Sequence, residues 1–583
     1  MAYVIATNVT SPLGFTTEAN YLAVKSGRSA LRRYDRQWGL PEPFCASLFT
    51  DGQQRALSVD GLTRFESLVV RSVGAALEQC PELDVASGRV VFVLSTTKAN
   101  VEHLGQSPAP SPSVSPGGAA RRIARHLGFT SCPVVVCNAC ISGVAAIILA
   151  RRLLDSRLYD YAVVCGADVQ CPFTVAGFQS LKAVSASACR PFDMERNGLN
   201  LGEAASTVVM ASGREPWMNI LGTVRCGAIR NDAFHVSSPS KNGEGARLAL
   251  EALRLPVGSV ASGAAASSDV LAFINAHGTA TMFNDQMESV AIERAGLAGV
   301  PVNGLKGYYG HTLGAAGVLE TVVSLAALRD RTVLGTRGFE EIGVSGKIAV
   351  ASGAVPAVGD AFVKMISGFG GGNAAVVVSG SAGAPGASGS AGPTAFTSHR
   401  VSISPGRASV DGRQLDFSHD DNASFLTALY KRYVGDYPKF YKMDGLSRLG
   451  FMAAELLVMA EAKSSSALAS QQRRCQRAVV LFNGSSSVDA DRRFLSTLAP
   501  DNFFPSPSLF VCTLPNIVTG EIAMRHGYHG ETSLFILPGR DESLMRQIAL
   551  STFLDSDVTS VVTGWIDYYD ESHYSADVML LTV

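Results

Sequence analysis

The chain has 583 residues, too many for one small core, and its 49 Lys and Arg against 50 Asp and Glu give a formal net charge of −1. That balance leaves no whole-chain electrostatic footprint for nucleic acid or for an anionic membrane. With 47% hydrophobic and only 17% charged residues, the chain buries a sizeable core and is not generally disordered.

The opening Met-Ala-Tyr-Val-Ile-Ala-Thr has no basic region ahead of an apolar run, so it reads as a first strand rather than a signal peptide. The longest apolar stretches, such as Val144 to Ala150, fall well short of the roughly 20 residues needed to cross a bilayer. No integral membrane segment is expected, and cytoplasm is the expected location. The 11 cysteines lie mostly in apolar segments and read as reduced thiols rather than a disulfide framework.

Apolar, β-rich runs then alternate with helical patterns: Val90 to Leu94, Val134 to Cys137, the helix-like Ser142 to Asp155, and Tyr161 to Cys165. This alternation predicts βα units around buried, largely parallel strands. Between the second strand and the helix stands Cys137-Asn-Ala-Cys140-Ile141-Ser-Gly143. A cysteine at a helix N-terminus meets the positive end of the helix dipole, which favours thiolate and is a nucleophile's position. The CxxC spacing of Cys137 and Cys140 has no second pair to complete a zinc site, so no metal is expected.

Two histidines follow, each beside a strand-like stretch: Ala272-Phe-Ile-Asn-Ala-His277-Gly-Thr279, and Asn303-Gly-Leu-Lys306-Gly-Tyr-Tyr-Gly-His311-Thr312. With a cysteine they supply a thioester nucleophile and two imidazole donors, as acyl exchange with a stabilised enolate or oxyanion requires. Gly368-Phe369-Gly370-Gly-Gly372-Asn373 lets backbone amides approach a ligand closely. It runs on into a strand at Ala374 to Val378, so it is not a dinucleotide loop.

Residues 380–394, rich in Gly, Ala, Ser and Pro, read as a linker between residues 1–379 and 395–583. The second part repeats the first in the same order. Asp60-Gly-Leu-Thr-Arg64 recurs as Asp444-Gly-Leu-Ser-Arg448, and the strand starting at Arg89 recurs at Arg477; Pro116, Ile123-Ala124 and Gly128 recur as Pro515, Ile522-Ala523 and Gly527. Ordered matches of this kind favour an internal repeat. Carrying the last spacing forward places Gly539 of Leu537-Pro538-Gly539 where the first part has Cys140, so the second part lacks the nucleophile.

These residues resemble the condensing enzymes of the thiolase superfamily, and within it the β-ketoacyl-acyl-carrier-protein synthases of fatty acid and type II polyketide systems. The resemblance covers nearly all of residues 1–379. It rests on Asn138-Ala-Cys140-Ile141-Ser-Gly143, Arg190-Pro-Phe192-Asp-Met-Glu-Arg-Asn-Gly198 with Gly202-Glu203, and Asp232-Ala-Phe-His235 before Ser238-Pro239. It rests further on His277-Gly-Thr279 with Asn284-Asp285-Gln-Met-Glu288, Lys306 with Gly310-His311-Thr312, and Gly368-Phe369-Gly370-Gly371. Two positions depart from the family pattern: Ile141 stands where a small polar residue is usual, and Gly372 where Thr is common.

The resemblance implies an α/β thiolase fold of duplicated, mixed five-stranded sheets with helical layers (αβαβα), plus a half-thiolase-like domain at 395–583 similar to the inactive chain-length factors. It implies that Cys140 accepts an acyl chain from a carrier-protein thioester. His277 and His311 would bind the malonyl thioester during decarboxylation, with Lys306 and the buried Glu320 supporting them. Phe369 would supply an oxyanion-hole amide with Cys140 and act as a gate, with Gly370 beside it. Ile141, Phe178, Phe192, Thr279, Thr312 and Gly368 would contact substrate. No resident cofactor is implied, since phosphopantetheine arrives on the acyl carrier protein, the implied partner alongside malonyl and acyl thioesters. Family members pair through the sheet preceding the nucleophile helix, so a homodimer is expected, or a pseudo-dimer if the half-copy occupies that surface. The alternatives are a coenzyme A-dependent thiolase-like starter enzyme and a non-catalytic scaffold or chain-length factor.

Overall fold

A computed structural model describes residues 2–105, 114–255, 270–380, 395–416, 424–464, 476–501 and 503–583. Of the expected linker, residues 381–394 lie outside the described residues. The first sheet uses β1 (Ala2–Thr10), β2 (Val90–Ser95), β3 (Val134–Val136), β4 (Tyr161–Asp168) and β5 (Ala204–Ala211). The second uses β6 (Gly222–Asn231), β7 (Leu271–Asn275), β8 (Pro301–Asn303), β9 (Ala361–Gly368) and β10 (Gly372–Ser379). The third uses β11 (Phe396–Ser404), β12 (Arg477–Asn483), β13 (Thr532–Ile536), β14 (Ser560–Asp570) and β15 (His573–Thr582).

All three have one topology. In the first, β2 pairs parallel with β3 and β4, and β5 runs antiparallel to β4 and β1. The second repeats this as β8-β7-β9-β10-β6, and the third as β13-β12-β14-β15-β11. The strand with two parallel neighbours in each sheet, β2, β7 or β12, is buried along its whole length, which explains why these strands read as continuous apolar stretches rather than alternating ones.

Helices layer these sheets: α1 (Arg64–Leu77), α2 (Pro116–Leu127), α3 (Ser142–Asp155), α4 (Ala316–Arg329), α5 (Gly445–Ser464), α6 (Ile517–His526) and α7 (Glu542–Ser551). The central pair, α3 and α4, is enclosed in one hydrophobic core with inward-facing residues of the first two sheets. They cross almost backbone to backbone: a Cβ on Gly143 would lie 2.7 Å from the Val318 amide nitrogen, and one on Gly317 2.4 Å from that of Val144. A side chain at either glycine would force the helices apart and displace the start of α3. Helices α1, α2, α5 and α6 share a second core over the outer faces of the first and third sheets. No described helix is long and apolar enough to cross a membrane.

Sheets one and three meet at an antiparallel pairing of β3 with β13, Val135 opposite Ile536 and Val136 opposite Phe535. The expected homodimer through this sheet therefore gives way to pairing inside one chain, because β13 already fills the edge that a second copy would use. Buried ion pairs cross the same boundary with one polarity, cations on the first part and carboxylates on the second: Lys98–Asp491 at 2.6 Å, Arg152–Glu531 at 2.6 Å and Arg230–Asp555 at 2.6 Å.

Removing one member of such a pair strands a buried charge, which costs about 3–5 kcal/mol. Arg152→Met is expected to lower the thermal unfolding midpoint strongly, and Arg152→Met with Glu531→Gln to restore most of it. Equal midpoints for the single variant and the parent would show that the pair does not hold the boundary. The filled β3 edge also predicts that the full chain sediments as a single copy; a stable dimer would contradict it.

Candidate active site

Cys140 sits in the one-turn helix Ala139–Ile141 between β3 and α3. The turn is tight enough to put Ala139 in the left-handed region, at φ 49°, a conformation that costs a non-glycine residue energy and persists where its surroundings enforce it. Here Ser142 Oγ donates to the Ala139 carbonyl at 2.6 Å and accepts from the Asn138 amide at 2.8 Å. The third sheet adds a clamp, as Leu534 N–H donates to Asn138 Oδ1 at 2.7 Å and the Cys137 amide donates to the Leu534 carbonyl at 3.2 Å.

Cys140 is half-buried and lines a cavity of about 390 Å³ together with Phe178, His277, Thr279, His311, Gly368 and Phe369. The Cys140 Sγ and one nitrogen of each imidazole lie within 4.8 Å of one another. The two rings meet edge to face, with centroids 4.9 Å apart.

Each histidine is held through its backbone. His277 and Gly278 donate their amides to the two oxygens of Glu288, both at 2.7 Å. The His311 amide donates to the Asn200 carbonyl at 2.6 Å, and its carbonyl accepts from Gly202 N–H at 3.0 Å. Only glycine fits at 202, where a Cβ would lie 1.9 Å from the Tyr309 carbonyl oxygen. Just beyond His311, the Gly314 amide donates to Asp168 at 2.7 Å and the Gly314 carbonyl accepts from Ser95 Oγ at 2.6 Å.

One tautomer follows from this geometry. His311 Nδ1 accepts the Leu313 amide at 3.3 Å, so the proton of the neutral ring resides on Nε2. That nitrogen is buried and has no partner among the described residues, which leaves it as a donor for a bound molecule. His277 carries no equivalent constraint, and its buried Nδ1 is likewise unpartnered.

Beneath the histidines lies a buried charge cluster. Lys306 Nζ donates to Glu320 Oε1 at 2.7 Å, and Lys364 Nζ donates to the other oxygen of Glu320 and, at 3.1 Å, to the carbonyl of Ala276, the residue before His277. Burial pushes the Glu320 carboxyl up, but the two lysines outweigh it and hold it below its ordinary value. Burial, then Lys306, hold both imidazoles well below their ordinary pKa, helped by Lys364 and, for His277, by the neighbouring His311 ring. Both histidines are therefore neutral at pH 7.

For Cys140 the balance runs against the sequence expectation. Burial pushes its thiol up to about 12, while Lys306 and the amides of Cys140 and Phe369 pull the other way without overcoming it. The resting group is a thiol, because desolvation of a buried thiolate exceeds what one turn of helix dipole returns. The glycine loop lies directly against this turn: a Cβ on Gly368 would stand 3.1 Å from the Cys140 amide nitrogen.

The other expected residues divide. Phe178, Thr279, Gly368 and Phe369 line the cavity. Phe192 and Thr312 do not: both are buried, and Phe192 is packed with Ile274 and Met287 while its amide is taken by Asp285 at 2.7 Å. Gly370 is excluded as an oxyanion donor, since its N–H goes to the Val236 carbonyl at 2.6 Å. Ile141 packs under the glycine loop, with Cδ1 2.9 Å from where a Cβ on Gly372 would stand. The two departures from the family pattern thus form one packing unit, the larger residue at 141 filling space left by the glycine at 372. Cys137 is fully buried, its thiol donating to the Thr97 carbonyl at 3.5 Å, and takes no part in the cavity.

Lys364, Asp168 and Asn231 are missing from the sequence reading. A lone lysine in the apolar run Ala361-Phe-Val-Lys364-Met-Ile was a visible signal, since a buried lysine needs a partner.

The family model "Beta-ketoacyl synthase, N-terminal domain" matches residues 87–215, and "Beta-ketoacyl synthase, C-terminal domain" matches residues 221–340. The 3-oxoacyl-[acyl-carrier-protein] synthase 2 of Vibrio cholerae is 28% identical over 361 residues, covering 55% of this chain and 84% of the relative. The tetracenomycin polyketide synthase ketoacyl synthase alpha subunit of Streptomyces glaucescens is 33% identical over 240 residues, 39% of this chain and 54% of that one, so the match spans about half of that relative. Among solved structures, a β-ketoacyl synthase from Burkholderia phymatum aligns with a TM-score of 0.59 at 22% identity, over 65% of this chain and 99% of that one. The PfaC keto synthase-chain length factor aligns over 100% of this chain and 78% of its own, with a TM-score of 0.75 at 14% identity. The fold is the thiolase fold.

The raised thiol pKa has a direct consequence. Alkylation of Cys140 by iodoacetamide, followed by peptide mass mapping, should accelerate about tenfold per pH unit from pH 7 to 10, as the thiolate fraction grows. A plateau below pH 8 would show that the thiolate is already formed at neutral pH.

Proposed function

We propose that this chain, which carries both β-ketoacyl synthase domains, takes an acyl group from a carrier-protein thioester onto Cys140 and condenses it with a malonyl unit on acyl carrier protein. The product is a 3-oxoacyl-carrier protein, in fatty acid or polyketide synthesis. The observation that carries this reading is the meeting of one thiol, two neutral imidazoles and two inward-facing amides in a single cavity.

The geometry divides the work. In the first half-reaction the Cys140 sulfur attacks the acyl thioester, and its proton leaves on the carrier's phosphopantetheine thiol. His277, whose tautomer is free, relays that proton. The amides of Cys140 and Phe369 hold the oxyanion of the tetrahedral intermediate. In the second, the malonyl carboxylate departs as CO₂ and the enolate oxygen receives hydrogen bonds from the imidazoles, His311 through Nε2–H. The enolate carbon attacks the acyl-Cys140 carbonyl, the C–S bond breaks, and the departing sulfur takes up one proton from solvent by way of His277. Neutral donors suit this step, because the charge they stabilise appears only as CO₂ leaves. Lys306, Glu320 and Lys364 act from behind, keeping the rings neutral and the His277 loop in place. The reading asks for no resident cofactor or metal.

The third sheet is, in this reading, a nucleophile-less partner of the chain-length-factor kind. Its turn Leu537-Pro538-Gly539 cannot accept an acyl group, yet its side chains wall the cavity from outside. Phe510 stacks edge to face on Phe178 at 5.2 Å and fills the space a side chain on Gly177 would need. Val511, Leu514 and Ile517 pack with Ala139 and Phe369. A thiolase-like enzyme using coenzyme A is disfavoured, since no cysteine occurs between Cys226 and Cys475 to serve as the second thiol of that chemistry.

Separate assays of the two half-reactions test the division. His311→Ala should retain acyl transfer to Cys140 within about tenfold and lose malonyl decarboxylation by about 10²–10³, the cost of a missing oxyanion donor. His277→Ala should lose both. Loss of acyl transfer in His311→Ala by several orders of magnitude would reject the assignment.

A further inference from the structure

The loop that supplies the Phe369 amide is held from behind, and much of the hold comes from the second part of the chain, from the start of α6 and from β13. The peptide between Phe369 and Gly370 is fixed at both ends: the Phe369 carbonyl accepts from Asn516 Nδ2 at 2.8 Å, and the Gly370 N–H donates to the Val236 carbonyl. The next carbonyl, of Gly370, accepts from Asn231 Nδ2 at 2.8 Å. Asn231 is itself tied to the third sheet, donating to Thr532 Oγ1 at 2.9 Å while its backbone meets His529. Approach is close enough that a Cβ on Gly520 would lie 2.5 Å from the Gly370 oxygen.

We propose that Asn516 is a positioning residue for the Phe369 gate, holding the Phe369 amide on the reacting carbonyl from across the boundary between the two parts; this rests on the functional reading above. Pinning the 369–370 peptide anchors Phe369 from its C-terminal side and so limits how far its Cα, with the ring that lines the cavity and the preceding peptide that carries its amide, can shift. Asn516 is 5% exposed, and its Oδ1 is buried without a partner among the described residues. An unsatisfied buried oxygen carries a desolvation cost, which an apolar side chain of similar size would avoid. The cost is coherent with a task for Nδ2 and not with packing alone.

The repeat supplies an internal contrast. Pro515 matches Pro116, so Asn516 matches Gly117. Gly117 sits in the reciprocal place, where a Cβ would stand 3.0 Å from the carbonyl of Leu537, in the turn that has lost its nucleophile. The asparagine is present on the side that faces Cys140 and absent on the side that faces Gly539.

Asn516→Asp replaces the donor with an acceptor at constant size, and Asn516→Ala removes it. In the full chain, both should lower the maximal rate of Cys140 acylation about 10–100-fold, a fraction of a full oxyanion-donor loss, with KM for the acyl donor within threefold. Amide hydrogen exchange of residues 366–374 should quicken, while that of 132–138 stays as in the parent. Arg121→Ala, which removes a bond across the same boundary to the Pro538 carbonyl, serves as the control and should act like the parent in every assay. Parent-like acylation in both Asn516 variants would overturn the proposal while leaving the functional reading intact. A parent chain that neither acylates Cys140 nor decarboxylates malonyl-carrier protein would overturn that reading instead. A loss of rate shared equally by Arg121→Ala would assign the effect to the boundary as a whole and also overturn the proposal.

Discussion

Strand β3 is short, lies at the edge of its sheet and leads directly into the turn that carries Cys140. An edge strand leaves a row of amides and carbonyls that must be satisfied or solvated. Here β13 satisfies them, and its Leu534 reaches one step further to bond Cys137 and Asn138. The conformation of the turn is therefore a property of two sheets together. The all-cation against all-carboxylate ion pairs serve the same end, because they make the first and third sheets complementary to each other and repellent to themselves.

The chemistry then depends on how few net charges are allowed near the sulfur. Two buried lysines share one buried glutamate below two imidazoles, so the cluster is net cationic and disfavours imidazolium. Burial alone disfavours both thiolate and imidazolium. The thiol and both imidazoles therefore rest neutral above a cationic cluster, and in the proposed mechanism charge develops only where amides and ring N–H groups already wait for it. Such preorganisation is more effective in an enclosed cavity than in water, where solvent would have to reorient during the reaction.

The sequence singled out the three groups that the structure brings together because each sits beside a local signature: Cys140 between an apolar run and a helix, and His277 and His311 at glycine turns after strands. The repeat was legible too, since spacing survives where identity fades. What stayed hidden was long-range. Lys364 is 44 residues beyond the glutamate it bonds, and Asn516 lies 147 residues beyond the carbonyl it holds; no local pattern links either pair. The thiolate expectation failed for a related reason. A helix dipole can be read from sequence, but the depth of burial that opposes it depends on the closure of several distant segments. Phe192 and Thr312 show the converse limit, for adjacency to a motif does not decide which side of a wall a residue faces.

The account stands or falls on the carbon–carbon bond formed over Cys140. The direct measurement is the intact mass of acyl carrier protein after incubation of the full chain with malonyl-carrier protein and a panel of acyl primers. The account predicts a carrier bearing a 3-oxoacyl chain two carbons longer than the primer, formed with release of CO₂ and absent with Cys140→Ala. Unextended carrier with every primer, or extension that survives Cys140→Ala, would contradict it.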